Sequence, residues 1–586
     1  MHLGPNEEIL EGAIKDEEIF LNPPPDTNEL LDHPVIYPIS GDSIKPRHYK
    51  LLIAITSHIR EIRTRKLLRE YMFGIKDNLR PCMENNGDIY YKFLLKPYQQ
   101  TDKKILRDFT AESVEFDDIE EFPNQSKLNW QKNCSYMGTY MYAVHFNLID
   151  LIIIEIILLK IHSLEKQEIT YDNIVIMEDH SVINLQKLLT ILDSSVVNTH
   201  ALTPRQKSNL IWGRFDTVDK DEMFIILGPE SVATLLDLDY FLKSINNNNN
   251  GIKQRKLKNK FEETEKPIFN IITRAYHYFV EPSHVDESDL FFINDNIGLI
   301  EWPNAVENIP IETTIGVGHV FLESELRDVF TRLSISKITA CDPVPRKGDK
   351  LSIAVVSSSF VYDNMCMFPI ANILAENKRD YAKKHGYSFV GRSEEFDQQA
   401  HYKNRRTVWG KIDSVEKILP HYDWVFWLDM DTVIANQSVT VEWLFEKFTE
   451  MVGGADNFKK INLVVARPKQ DVTINAGVFM IRNSEWSRRF LRTIQQRRDL
   501  YHMHQMEQRA MWDLMNTPDY KDETLFLDKD DHTFNTFPHM YVPGDFVVHW
   551  APDDCPVKPI LDAIGKFKQY EMNRNFKFTL DHPPDH

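Results

Sequence analysis

Residues 424–434 read W-V-F-W-L-D-M-D-T-V-I. The run W-V-F-W-L has the character of a buried strand, and it leads directly into Asp429 and Asp431. Side chains alternate faces along a strand, so residues two apart point the same way, and this spacing aims both carboxylates into one crevice. Two carboxylates there repel each other unless a cation lies near them. Hard oxygen ligands suit Mg²⁺ or Mn²⁺, and such an ion neutralises a diphosphate. An isolated D-x-D is common by chance, and the alternative is a pair of solvated or helix-capping aspartates. The buried strand that feeds the motif weighs against that alternative.

Upstream, L-S-I-A-V-V-S-S-S (351–359) reads as a buried strand. The segment N-I-L-A-E-N-K-R-D-Y-A-K-K-H-G (372–386) has helical spacing, late cations and a terminal Gly386 suited to a C′ position. Y-S-F-V (387–390) predicts a strand, and V-W-G-K-I-D-S-V-E-K-I-L-P (408–420) a helix closed by Pro420. Strand–helix alternation of this kind implies an α/β fold with a mostly parallel sheet and helices on both faces. Ligands gather at the carboxyl ends of such strands. Downstream, I-N-A-G-V-F-M-I-R (474–482) carries Asn475 and Gly477, where a glycine marks close approach of a ligand or another chain segment. H-M-H-Q-M-E-Q-R-A-M-W-D-L-M (502–515) predicts a helix bearing Glu507 and Gln508. Y-V-P-G-D-F-V-V-H-W (541–550) brings a strand to its end at His549, a candidate third metal ligand.

The chain has 586 residues, enough for two large domains or three ordinary ones. Its formal charge of 68 − 87 = −19 repels phosphate backbones and speaks against nucleic acid as a partner. An acidic chain can still bind phosphorylated small molecules where a metal ion or a few local cations supply positive charge. The organisation expected is an acidic, Pro-rich disordered leader over 1–45 and an α/β domain over 46–340 with an Asn-rich loop at 245–266. A linker over 341–350, a second α/β domain over 351–575 and a tail over 576–586 follow. No signal peptide or anchor is visible at the start, and the apolar run Leu148–Leu159 carries Asp150 and Glu155 and is shorter than the ~20 residues that span a bilayer. It reads as a buried helix or strand, with a membrane segment as the alternative. The five cysteines form no C-x-x-C pair, so a disulfide framework has little support, although one or two bridges stay open.

Six segments in register carry a resemblance: N-K-R-D-Y-A-K-K-H-G-Y, W-G-K-I, W-L-D-M-D, N-A-G-V-F-M-I-R-N-S-E-W-S, E-Q-R-A and P-G-D-F-V-V-H-W. Over about 351–570 the chain resembles glycosyltransferase family 34, retaining enzymes that include galactosyl-, mannosyl- and xylosyltransferases. The resemblance implies a GT-A fold, a nucleotide-sugar donor such as a UDP-sugar or GDP-mannose, Mn²⁺ (or Mg²⁺), a glycan or glycoprotein acceptor and residence in the Golgi. It further implies that Asp429 contacts the ribose side and the metal, while Asp431 and His549 coordinate the metal. Ser357, Ser358 and Lys411 match positions near the nucleotide or diphosphate, and Asn475, Glu507 and Gln508 positions by the transferred sugar and acceptor. Gly477 belongs to the same donor-side set. The family follows its strand-end histidine with a small A-G-C turn, whereas this chain reads H-W-A-P-D-D-C-P-V-K, which puts the reach of Lys558 to the diphosphate in question. Assembly with itself or with other glycosyltransferases is compatible with the resemblance.

Residues 49–243 are similar, more faintly, to the β-1,3-galactosyltransferases of family 31. L-L-I-A-I-T-S-H-I-R-E-I-R-T-R-K-L-L-R-E matches their first strand and arginine-rich helix. Y-D-N-I-V-I-M-E-D-H-S-V-I-N matches the strand that runs into their acidic triplet, which here reads Glu178, Asp179, His180. Where that family has three aspartates, two of the three positions are substituted, which favours a weakened or non-catalytic domain; the tandem expected is two GT-A-like domains. Two rivals stand beside the transferase. D-M-D-T-V also fits the D-x-D-x-[TV] signature of haloacid dehalogenase phosphatases, with Asp429 as nucleophile and Asp431 as general acid. A carbohydrate-binding scaffold without turnover is the other.

Overall fold

The computed structural model of the chain describes residues 47–75, 78–79, 89–95, 102–121, 169–194, 196–197, 200–215, 224–232, 234–235, 290–335, 351–358, 366–468, 473–503, 506–551 and 555–580. The leader over 1–45, Leu148–Leu159, the Asn-rich stretch over 245–266 and the stretch over 341–350 lie outside these residues.

Two α/β sheets follow one another. The first has seven strands: β1 (Arg47–Ser57), β2 (Ile89–Leu95), β3 (Ile119–Glu121), β4 (Ile169–Glu178), β5 (Leu210–Gly213), β6 (Phe224–Leu227) and β7 (Phe291–Asn294). Their order is β7-β5-β6-β4-β1-β2-β3. β1 pairs in parallel with both β2 and β4. The second sheet has six: β8 (Ile353–Ser358), β9 (Ser388–Arg392), β10 (Trp424–Leu428), β12 (Leu463–Ala466), β13 (Val478–Arg482) and β14 (Thr524–Leu527), in the order β9-β8-β10-β13-β12-β14. β8 pairs in parallel with β9 and β10, and β12 with β14, while β13 runs antiparallel between β10 and β12. A short antiparallel pair, β11 (Thr432–Ile434) with β15 (Val547–His549), sits beyond the end of β10. The α/β architecture expected from the strand–helix alternation is the one observed.

The run W-V-F-W-L explains the second sheet's centre. Trp424, Phe426 and Leu428 enter one core cluster, and Val425 and Trp427 the other, so the strand is buried on both faces. A strand covered by helices on each side needs this unbroken apolar sequence rather than alternation. Helix α4 (Ala371–His385) closes as its sequence indicates: Gly386 takes φ +77°, and the Tyr387 amide donates to the Ala382 carbonyl at 2.8 Å. Without a Cβ, glycine enters this left-handed conformation freely.

The two sheets are joined through α2 (Lys103–Phe116), which follows the short α1 (Ile62–Leu67) in the first half and precedes α3 (Glu323–Arg332). Val114 of α2 belongs to the apolar cluster of the second sheet. Its carbonyl accepts from Arg379 of α4 at 2.8 Å, and Ser393 donates to Glu115 at 2.6 Å. A Cβ on Gly391 in β9 would lie 3.1 Å from the Glu115 Cα, so the helix lies directly against the strand. Burial pushes the Glu115 carboxyl up to about 7 against the opposing pull of Arg392. An unfolded glutamate keeps its ordinary value of 4.5, so between these two values the folded chain binds the extra proton. Glu115 therefore stabilises the fold most at the acidic side of this window, and that contribution fades as pH rises through about 7. Glu115→Gln, which keeps the acceptor for Ser393, is expected to flatten the decline of melting temperature with pH across the window. Glu416, also held near 7 by burial, keeps its share in both proteins, so the difference between the two melting profiles is the readout. Identical profiles would show that Glu115 titrates normally.

Candidate active site

The D-M-D segment is not a continuation of the strand. β10 ends at Leu428, and Asp429, Met430 and Asp431 form a turn in which the Thr432 amide and hydroxyl both donate to the Asp429 carbonyl, at 3.2 and 2.6 Å. The two carboxylates converge through this turn and not through strand alternation, because Thr432 hydrogen-bonds back to Asp429. Immediately after the turn, β11 pairs with β15 and sets Thr432 opposite His549. The ligand atoms of Asp429, Asp431 and His549 then lie within 4.8 Å of one another, the one such three-residue group among the described residues.

Each member is held by a specific partner. The Trp427 indole donates to Asp429 Oδ1 at 2.6 Å, and Lys411 of α5 (Gly410–Ile418) lies 2.9–3.0 Å from the two Asp429 oxygens. Lys411 also donates to the Ala476 carbonyl at 3.0 Å and lies 3.3 Å from Glu507, on α6 (Met506–Met515). Burial alone would lower the Lys411 ammonium, but Asp429 and Glu507 outweigh it and hold it above the ordinary lysine value. Burial raises Glu507, against the pull of Lys411. Asp431 is penalised by burial too, yet the neighbouring His549 holds its carboxyl below the usual range.

His549 Nε2 lies 3.2 Å from Asp431 Oδ1, and Nδ1 lies 2.7 Å from Asn535 Oδ1. The Asn535 amide nitrogen is committed to the Asn475 and Val478 carbonyls at 3.1 and 3.5 Å, so its oxygen faces the ring. A carbonyl oxygen only accepts, and Nδ1 therefore carries the hydrogen and Nε2 faces Asp431 with its lone pair. Two acceptors at 3.2 Å need positive charge between or beside them: either a second proton on the ring or a cation. The donor set of two carboxylates and an imidazole thus fits a divalent ion of the Mg²⁺–Mn²⁺ kind. Close approach was the reading of Gly477, and the group that approaches is this ring. A Cβ there would fall 2.2 Å from His549 Cε1.

The remaining predicted residues divide. The Asn475 side-chain oxygen accepts from the Gly477 amide at 2.8 Å, and the Gln508 side-chain oxygen from the Ala476 amide at 2.9 Å. Both thus brace the loop that carries Gly477. Ser357 and Ser358 are buried at the carboxyl end of β8, beside the end of β10. Lys558 is exposed in the first turn of α7 (Val557–Met572). Cys366 and Cys555 form a disulfide that ties the segment before α4 to the approach of α7. Trp427, Asn535 and Lys378 were not singled out from the sequence. The signal that could have found Trp427 is its place two residues before Asp429. Lys378 is wholly buried in α4 and donates to the Met430 and Thr432 carbonyls at 3.3 and 2.8 Å, gripping the turn from behind. Burial lowers it to about 7, against Asp431 and Asp429.

In the first half, Ser57 donates to Asp179 at 2.5 Å, and the buried Arg65 donates to Ser57 at 2.7 Å. His180 Nε2 lies 3.7 Å from Asp179 and 3.8 Å from Glu61. Glu178, Asp179 and His180 do not form a converging three-ligand group.

Residues 352–558 match the profile of the galactosyl transferase GMA12/MNN10 family. This bears out the family resemblance of the six segments. A probable alpha-1,6-mannosyltransferase of Saccharomyces cerevisiae, MNN10, is 30% identical over 141 residues, 21% of this chain and 35% of that protein. An alpha-1,2-galactosyltransferase of Schizosaccharomyces pombe is 27% identical over 185 residues, 26% of this chain and 47% of that protein. The chain spans less than half the length of these curated relatives. Among solved structures, a glycosyltransferase involved in glycosylation of the major capsid of PBCV-1 aligns at 17% identity with a TM-score of 0.27, covering 38% of this chain and 99% of that one.

Two outcomes follow from the geometry. Asn535→Ala removes the acceptor that orients His549 and is expected to weaken Mn²⁺ binding about 10- to 100-fold in calorimetry while the fold is retained. Unchanged affinity would show that the ring is fixed without Asn535. Burial works to lower the His549 pKa, but Asp431 holds it above 6.5, so protons compete with the ion at this nitrogen. Mn²⁺ affinity is expected to fall as pH is lowered through this range, with protons released on binding, whereas a flat profile would exclude His549 as a ligand.

Proposed function

We propose that the chain is a metal-dependent, retaining glycosyltransferase that moves a hexose or pentose from a nucleotide-sugar (UDP-galactose-like, UDP-xylose or GDP-mannose) to a glycan or glycoprotein acceptor. The observation that carries this reading is the convergence of Asp429, Asp431 and His549 beyond the carboxyl end of β10, with the buried Lys411 against Asp429. These three residues would hold the ion, which when bound neutralises charge on the diphosphate. The nearby Lys411 ammonium adds fixed positive potential and needs no reorganisation as the nucleoside diphosphate departs. In the transfer, the bond from the anomeric carbon to the diphosphate oxygen breaks. The acceptor oxygen bonds to that carbon on the same face, and the hydroxyl proton passes to the departing phosphate.

Same-face attack is favoured over a covalent sugar–enzyme bond by the state of the nearby side chains. The Asn475 and Gln508 oxygens already accept backbone amides, which leaves their NH₂ groups as donors that orient hydroxyls. Glu507 is buried and paired with Lys411, a poor state for a nucleophile. The phosphatase reading is disfavoured because both Asp429 oxygens are engaged by Trp427 and Lys411; Asp553 and Asp554, which it would enlist, lie outside the described residues. For the first half we favour a non-catalytic role, since Asp179 is turned to Ser57. A Golgi lumenal setting agrees with the resemblance, and the Cys366–Cys555 bridge suits an oxidising compartment. Among the described residues no helix is long and apolar enough to cross a membrane.

Incubation with UDP-galactose, UDP-xylose, UDP-glucose and GDP-mannose tests this. Release of nucleoside diphosphate in Mn²⁺ but not in EDTA is expected for at least one donor, and Asp431→Ala is expected to abolish it with the fold intact. Comparable turnover by that variant would remove the site from consideration. Glu178→Ala is expected to leave turnover largely unchanged; a loss greater than about tenfold, ~1.4 kcal/mol in barrier, would show that the first half takes part in the reaction.

A further inference from the structure

The first sheet has its own reversal of strand order, and the residues beside it are not those of a diphosphate site. β1 continues to β2 and β3 on one side, while β4 lies on the other, so the strand order reverses between β1 and β4. In an open α/β sheet the space beyond the carboxyl ends at such a reversal is where a ligand sits. Ser57 ends β1 there and Asp179 follows β4, the two joined by the 2.5 Å hydrogen bond. His180 comes next, its Nε2 toward Asp179 and Glu61.

Over this group stands a large aromatic that nothing in the core requires. Phe321 is 62% exposed, with its ring centroid 5.0 Å from that of His180. His319 lies nearly parallel to it at an interplanar angle of 9° and a centroid distance of 6.1 Å. His319 adopts φ +61°, a left-handed conformation that costs energy for a residue with a Cβ. The backbone at His319 thus adopts a strained conformation where the His–Phe pair stands beside His180.

We infer that the group beside this reversal, Phe321, His319, His180, Asp179 and Glu61, binds a neutral oligosaccharide, with one sugar ring laid on the exposed Phe321 face. The chemistry selects a polyhydroxylated neutral ligand. An aromatic face carries partial negative charge and receives the C–H face of a pyranose, while carboxylate and imidazole groups beside it accept and donate to hydroxyls. The carboxylates repel a diphosphate, and no three-ligand metal group forms here to offset them. Burial pushes Asp179 up to about 6, so near that pH it carries only part of a charge and favours hydroxyls over a cation. The inference goes beyond the proposed transfer reaction and does not rest on it, since the second sheet's metal group plays no part in it.

The test uses the full chain in EDTA, without a donor, and a panel of neutral oligosaccharides of mannose, galactose, glucose and xylose, read by saturation-transfer NMR and calorimetry. Saturable binding by at least one is expected. Phe321→Ala should weaken it about tenfold, the worth of one good aromatic contact, and Phe321→Trp should restore it. Because Phe321 is exposed, the melting temperature of both variants should match that of the parent. No saturable binding across the panel, binding indifferent to Phe321→Ala, or displacement by uridine diphosphate or by a lysine-rich peptide would each overturn the assignment.

Discussion

The antiparallel pairing of Thr432 with His549 is the constraint on which the second half depends. It brings the turn after the central strand to the end of a much later strand, and only then do two aspartates and an imidazole face one point. The pairing is possible because Gly477 leaves room for the ring and Asn535 fixes its tilt. Lys378, fully buried, secures the opposite side of the turn through two carbonyls. A lysine buried without a directly paired carboxylate is costly, and the nearby Asp431 and Asp429 charges offset only part of that cost. The acidic pair thus favours the charged form of Lys378 across the backbone of the turn, against the pull of burial.

Much of the second half was legible because its elements are local. W-V-F-W-L is apolar without interruption, and the structure buries it from both sides; the helix before Gly386 ends where its glycine and late cations place the end. What was not legible acts over long distances. Nothing in T-F-N-T-F marks Asn535 as the partner of a histidine, since the contact exists only after β15 returns to the site. The strand rule also misplaced the geometry of Asp429 and Asp431: a threonine following the motif can close a turn, and a local hydroxyl-to-carbonyl bond prevailed over strand continuation.

The first half shows the same limit from the other direction. Its arginine-rich stretch reads from the sequence as basic and helical, without partners for its charges; Arg65 and Arg69 are buried and paired with Glu112 and Asp118 on α2 and just beyond it. Buried guanidinium groups are tolerated because their planar forks find carboxylates in matching geometry. That network fixes α2 to its own sheet, and α2 in turn carries Val114 and Glu115 into the second sheet. The site of one half thus stands on a helix anchored by the charges of the other.

The position of β9 gives this arrangement another meaning. β9 is the outermost strand of its sheet, hydrogen-bonded on one side to β8, and α2 lies against it. An uncovered outer strand is a template for pairing with other chains. The first half therefore also shields this strand: residues 351–575 alone would present Gly391 and the apolar surface that Val114 covers to solvent, beside the open edge of β9.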